Sequence, residues 1–529
     1  MLLTFLPRFP AVGAHVLNRP SVFVALIAGL FGLSSSAADW PQWCGTNGKN
    51  MVSFETGLPA TFEPGQKRTP ERTIDLSTAQ NVVWGVKLCD AIYSTPSIAA
   101  GRVYVGGVES RDGVFFCLDA ADGKTLWQWR VPPRQVPKQR DGFDLGIHPI
   151  PAMMGVCATA AIDGDRVFFV DNRFDLIGLA AGGDPASRGK ARTDWTLDLW
   201  EKYGVFPCDA SNGSPVIDGE LLYVQTCNGV DRNSFQDTSR ERNRPIPNPS
   251  APNLIAVERR TGRLVATDDA PIGPNILHGQ WSSPSLGQVG SRKLVFYGGG
   301  DGRCYAFEAL DRVPETPARL KTVWSFDCIP EEYKTLDGLD AITRYCLGDR
   351  RVKGSWNKHD GAFVGRSEII GTPVILDNRV YVAIGRDPEH GRGRGALHCI
   401  DATGAGDITR SGKIWTYQGL DRTLATVSVG GGLVYILDVA GRVHCLDQAT
   451  GTCYWVLETK AECWGSTLLA DGKVYVPTAK GLWVLAAGKE LKILSRINLG
   501  GKVLASPIVA NGTLYVATTG GWLWAVRQK

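Results

Sequence analysis

The chain is patterned as short apolar runs broken by turn residues, with little helical periodicity. A five-residue strand opening on Ser/Thr-Pro recurs as STPSI (94–98), GSPVI (213–217), SSPSL (282–286), GTPVI (371–375) and ASPIV (505–509). Weaker copies read ATAAI (158–162), ATVSV (425–429) and GSTLL (465–469). Every copy keeps a hydroxyl at one position: Thr95, Thr159, Ser214, Ser283, Thr372, Thr426, Ser466 and Ser506. A turn follows, often Asp-Gly or Asn-Gly, as at Asp163-Gly164, Asp218-Gly219, Asp471-Gly472 and Asn511-Gly512. These dipeptides supply the positive φ values that a two-residue hairpin needs. A β-branched second strand then begins, as in RVYVGG, LLYVQT, RVYVAI, KVYVPT and TLYVAT.

A third element completes the unit. Cys117-Leu118-Asp119 leads through Asp122-Gly123-Lys124 to Trp127, Cys399-Ile400-Asp401 through Gly412-Lys413 to Trp415, and Cys445-Leu446-Asp447 through Gly451 to Trp455. This spacing predicts a third strand, a turn and an outer strand whose indole packs between neighbouring units. Four antiparallel strands repeated eight times predict an all-β fold, an eight-bladed β-propeller. The marker hydroxyls are separated by 64, 55, 69, 89, 54, 40 and 40 residues, so the last intervals define the bare blade and the first five carry insertions. After Ser506 only three strands' worth of chain remains, and the orphan run 81–88 (NVVWGVKL) supplies the fourth. Pairing this N-terminal strand with the C-terminal ones closes the ring and removes exposed sheet edges. The expected organisation is a signal peptide over 1–38, an N-terminal extension over 39–80 and the propeller over 81–529.

Composition narrows the function classes. Lys+Arg 57 against Asp+Glu 53 gives a net charge of +4, without the cationic excess that phosphate tracking needs. With 43% hydrophobic and 21% charged residues the chain is not disordered. The uncharged run 21–33 follows Arg8 and Arg19 and precedes Ser36-Ala37-Ala38, the pattern of a signal peptide cleaved before Asp39. The expectation is a periplasmic or secreted monomer that binds no nucleic acid. An uncleaved N-terminal anchor is the one membrane contact left open.

The AxDxxxGKxxW-like segments and the four-strand unit resemble the pyrroloquinoline-quinone (PQQ) repeat, or tryptophan-docking, propellers. Trp40-Pro41-Gln42-Trp43-Cys44-Gly45 followed by NVVWGVKL is similar to the secreted bacterial members, and the likeness covers about residues 40–529. That family includes PQQ- and calcium-dependent alcohol and sugar dehydrogenases, and non-catalytic propellers such as the lipoprotein of outer-membrane barrel assembly. The resemblance therefore implies two functions. One is a binding or scaffold module presenting a loop-rich face to a protein, glycan or small ligand. The other is a quinoprotein dehydrogenase using PQQ with calcium. Family alcohol dehydrogenases carry a disulfide between adjacent cysteines over the quinone, and this chain has no Cys-Cys pair. No catalytic base or calcium ligand matches residue by residue, so the binding module is the favoured reading.

Candidate site residues follow from the repeat. The long insertions 131–156 (with Arg140, Asp144 and His148), 228–252, 327–368 (with Trp356, His359, Asp360 and Arg366) and 385–395 fall on connections that share one face. Blades six to eight lack them, which predicts a lopsided face. At the channel entrance the repeat places Tyr93, Cys157, Asn212, Trp281, Ile370, Leu424, Trp464 and Leu504. Trp281, Trp464, Tyr93, Asn212 and His278 are the cofactor-binding candidates, the aromatics either stacking on a planar quinone or filling the channel with apolar bulk. Asp144, Asp209, Asp360 and Glu368 are the loop carboxylates that could approach this mouth. Of the 13 cysteines, Cys117, Cys399 and Cys445 occupy the slot that other blades fill with Ala256 and Ala306, and so read as buried hydrophobes. Cys208 with Cys227, or Cys328 with Cys346, could form loop disulfides. No CxxC motif and no Cys/His spacing suits structural zinc. GGGDG (298–302) and GRGRG (391–395) read as turns, and Arg240, Arg242 and Arg244 as a solvated loop.

Overall fold

A computed structural model of the protein describes residues 38–134, 139–140, 143–144, 153–230, 246–336, 339–340, 367–385 and 393–528. The expected signal peptide up to residue 37, His148, Trp356, His359, Asp360, Arg366, Cys346 and the Arg240–Arg244 cluster lie outside the described residues, as do the side chains of Arg140 and Asp144. The described chain is the eight-bladed propeller that the repeat predicts. Blade one comprises Ser97–Ala99, Arg102–Glu109, Asp112–Asp119 and Thr125–Val131, hydrogen-bonded in that order. Blades two to seven follow over 161–198, 216–268, 285–327, 374–417, 428–458 and 468–497. Blade eight joins Ile508–Ala510, Thr513–Ala517 and Trp522–Val526 to the N-terminal strand Val82–Lys87, which pairs antiparallel with Trp522–Val526 and closes the ring. Among the described residues no helix is long and apolar enough to cross a membrane.

The blades lock together through their outer strands. Trp84 donates its indole N–H to the Ala120 carbonyl of the next blade, Trp127 to Ala181, Trp195 to Arg259, Trp324 to Ala402, Trp415 to Gln448 and Trp455 to Gly488. The glycine of the AxDxxxGK turn receives the indole. A Cβ on Gly123 would lie 2.8 Å from Trp84, and one on Gly451 2.7 Å from Trp415, and both glycines sit at positive φ. Opposite each wedge the third strand carries a small residue. Cys117 pairs with Trp127, Ala306 with Trp324, Cys399 with Trp415 and Cys445 with Trp455, each followed by a bulge. These three cysteines are fully buried free thiols, as the repeat alignment implied.

The inner strands are tied by the marker hydroxyls, all eight of them buried. The backbone N–H of Thr159 donates to Ser214 Oγ, Ser214 to Ser283, Thr372 to Thr426, Thr426 to Ser466 and Ser466 to Ser506, at 2.8–3.0 Å. Ser506 donates in turn to Thr95 Oγ1, which carries the belt across the point of ring closure. Six of the eight hydroxyls thus satisfy a buried backbone donor of a neighbouring blade.

Residues 38–55 make a lap of the ring that the repeat does not foretell. Three residues beyond the marker hydroxyl in blades one to seven, and five beyond it in blade eight, the inner strands meet this segment in blade order. Ile98 exchanges both backbone bonds with Trp40, and Ile162 donates to the Pro41 carbonyl. Asn47 donates to the Ile217 carbonyl and accepts from Leu286. Ile375 donates to the Gly48 carbonyl, and the Asn50 amide brackets both backbone groups of Val429. Leu469 donates to the Met51 carbonyl, and Glu55 accepts from Asn511 in blade eight and from the Ala38 N–H, where the lap meets itself. Cys44, Lys49 and Met51 are fully buried within it.

Candidate functional site

The lap and the hydroxyl belt leave one cavity in the channel, of about 190 Å³. Its wall is the set of eight entrance residues that the repeat places there, Tyr93, Cys157, Asn212, Trp281, Ile370, Leu424, Trp464 and Leu504, above the eight hydroxyls. Trp43 reaches up from the lap and donates its indole N–H to Thr372 Oγ1 (2.9 Å), so this indole floors the cavity. Asp209 and Met154 also border it. Ile370, Leu424 and Leu504 make one side apolar, while Tyr93, Asn212, Trp281 and Asp209 make the other mixed.

The two entrance indoles are held differently. Trp281 is buried, donates to the Cys208 carbonyl (3.2 Å) and meets His278 edge-on with centroids 4.9 Å apart. Trp464 is half-buried and bonded only to the nearby Glu462 carboxylate (2.8 Å).

His278 belongs to a cluster at the rim, just behind Trp281. Its Nε2 lies 3.2 Å from Asp209 Oδ2 and its Nδ1 3.8 Å from Glu368 Oε1. Cys208, Asp209 and His278 bring a sulfur, a carboxylate oxygen and an imidazole nitrogen within 4.8 Å of one another. The cluster draws on three successive connections from an outer strand to the next inner strand. Asp209 takes a positive φ of 57°, a conformation Asp tolerates better than most residues. A side chain at Gly229 would start 2.5 Å from Cys208 Cβ, and Val230 donates to the His278 carbonyl, so the loop from blade three packs tightly on the cluster. Burial lowers the His278 pKa, but the Cys208 charge and the bonds to Asp209, Cys208 and Glu368 outweigh it and raise the imidazole well above its usual value.

Of the four carboxylates expected near the mouth, Asp209 borders the cavity, and Asp209 and Glu368 converge on His278. The loop disulfide between Cys208 and Cys227 is not formed. Cys227 Sγ accepts from the Gln225 amide, and Cys208 Sγ turns toward His278. Cys328 is a free thiol. The GGGDG string is the turn between Arg292–Gly298 and Arg303–Glu308, as expected.

Sequence matching assigns the family at this point. The model of the outer membrane protein assembly factor BamB family, a PQQ-repeat propeller, matches residues 72–309 and 393–492. The chain belongs to this family. Among solved structures, BamB from Moraxella catarrhalis superimposes with a TM-score of 0.51 at 17% identity, over 85% of this chain and 97% of that one. A europium-containing methanol dehydrogenase gives 0.54 at 13% identity, over 91% of this chain and 89% of that one. No curated protein matches in sequence. At these identities the structural likenesses establish the shared fold.

The quinone–calcium pair that the family resemblance implies finds few matching groups among the described lining residues. Calcium takes about six to eight oxygen ligands. PQQ carries three carboxylates that need neutralising. Among the described lining residues Asp209 is the only carboxylate, and none is a lysine or arginine. Six of the eight marker hydroxyls already accept a backbone N–H of the interblade belt, and Thr372 accepts from Trp43.

Proposed function

We propose that this BamB-family propeller is an exported binding or scaffold module. In this reading a protein, glycan or small ligand docks on the loop-bearing face over the channel mouth. What supports it above all is the contrast between the two ends of the channel. The far end is closed by a segment bonded to every blade, while described residues at the near end line an aromatic-rimmed cavity. Aromatic walls with a few convergent polar groups suit ligand capture. Fold alone does not decide between binding and catalysis, and the described wall residues include one carboxylate, Asp209, and no lysine or arginine. The basic-flanked apolar run at 21–33 supports a periplasmic or secreted location.

The full chain should be mixed with PQQ and calcium, followed by tryptophan fluorescence and by dye reduction with alcohols and sugars. The expected result is no stoichiometric quenching and no turnover; tight binding with turnover overturns the reading. Glycan and peptide arrays then locate the ligand. Trp464→Ala should weaken capture at least tenfold, and undiminished capture by that variant would remove the mouth as the docking site.

A further inference from the structure

The rim cluster carries a chemistry that partner binding does not call for. Cys208, Asp209 and His278 offer a thiol, a carboxylate and an imidazole whose ligand atoms lie within 4.8 Å of one another. All three side chains are shielded, Asp209 keeping 10% of its surface and His278 7%. A tetrahedral zinc-type ion with bonds of about 2.0–2.3 Å needs ligand atoms separated by about 3.3–3.8 Å. The Nε2–Oδ2 distance of 3.2 Å is already at that scale, and all three ligand atoms lie within 4.8 Å of one another. The donor set also selects the ion. Thiolate and imidazole favour borderline transition metals, whereas calcium and magnesium call for oxygen alone.

We propose that Cys208, Asp209 and His278 form a binding site for a zinc-class divalent transition ion at the rim of the channel. His278 ligates through Nε2, the nitrogen that faces Asp209, while Nδ1 faces the buried Glu368 carboxylate. Glu368 is then the positioning residue: a carboxylate on the far imidazole nitrogen fixes the tautomer and raises the ligand's basicity. Among the described residues three side chains supply ligand atoms, and one of them, Asp209, borders the cavity. The rest of the architecture is consistent with a built site, since Asp209 holds a left-handed backbone and the Gly229 backbone packs directly on Cys208. The site stands independently of the docking reading, for a propeller that captured no partner could still hold the ion.

Cobalt(II) is the probe, because a thiolate ligand gives a sulfur-to-cobalt charge-transfer band that carboxylates and imidazole alone do not. Chelator-treated full chain should bind one equivalent with that band, and zinc should displace it. Cys208→Ser should lose the band, and His278→Gln should lose stoichiometric binding, so a folding failure of either variant leaves the other to decide. Cys227→Ser, which alters the neighbouring buried thiol, should keep both. Glu368→Gln should keep the band while weakening affinity about ten- to a hundredfold. The assignment is overturned if the treated chain binds no cobalt or zinc stoichiometrically, if cobalt binds without the sulfur band, or if folded Cys208→Ser keeps the band.

Discussion

The two ends of the channel are built on opposite principles. At the closed end the same chemistry recurs blade after blade: a hydroxyl accepting from its neighbour, and three residues later a strand bonded to the 38–55 lap. At the mouth, two residues before each hydroxyl, the chain places a phenol, a thiol, an amide, two indoles and three aliphatic side chains. Where the repeat is kept, the residue serves the ring. Where the repeat is broken, it serves what the ring is for. The insertions obey the same division, since the widest marker spacings belong to blades one to five, and the rim cluster lies on connections between blades two and five.

The largest test of the closed end is electrostatic. Lys49 is fully buried in the lap, its ammonium donating to Gln42 Oε1 and the Trp43 carbonyl. Burial lowers its pKa to about 7 against an ordinary 10.5, with Cys44 opposing the shift. Between those values the unfolded chain holds a proton that the folded chain has shed, so stability rises with pH through that window and is least below it. From pH 7 to 9 the gain from this group is about 2 kcal/mol. Lys49→Met should remove that gain, read as the difference between the two chains' denaturant midpoints at the two pH values. Equal slopes would mean that the lap does not bury this amine.

An effect of similar size is expected in the belt. Ser466→Ala takes the acceptor from the buried Thr426 N–H. A buried donor left unpaired costs about 1–3 kcal/mol. The midpoint should fall accordingly, with no change in any ligand captured at the mouth. An unaltered midpoint would show that the recurring hydroxyl is not what ties neighbouring blades.

These differences also explain what could be read in advance. The eight hydroxyls, the indole wedges and closure by Val82–Lys87 were legible because each is a side chain or strand pattern repeated at a fixed place. The lap was not, because its bonds are mostly backbone to backbone and WPQWCGTNGKN carries no period. The rim cluster lay between these cases. Asp209 and His278 each fall five residues before a marker hydroxyl, Ser214 and Ser283, so aligning the blades side by side would have set them together. Read along the chain they stand 69 residues apart, and a search for local metal-ligand spacing passes over them.

The smallest stability effect should come from the mouth, and there the comparison is sharpest. Trp464 is as large as the wedge Trp415, and both are indoles bonded to a nearby oxygen. Trp415 is buried between blades with its ring on Gly451, whereas Trp464 is half-exposed over the cavity and bonded within its own loop. Truncating a buried aromatic costs about 3–5 kcal/mol, because surrounding atoms cannot collapse into the space. Trp464→Ala opens onto space that is already open, so its cost should stay within about 0.5 kcal/mol, the range of surface substitutions. A midpoint unchanged while capture at the mouth is lost would separate the residue's two possible roles. A loss near that of a wedge would instead mean that Trp464 holds blades six and seven together, and that the entrance ring is as structural as the belt beneath it.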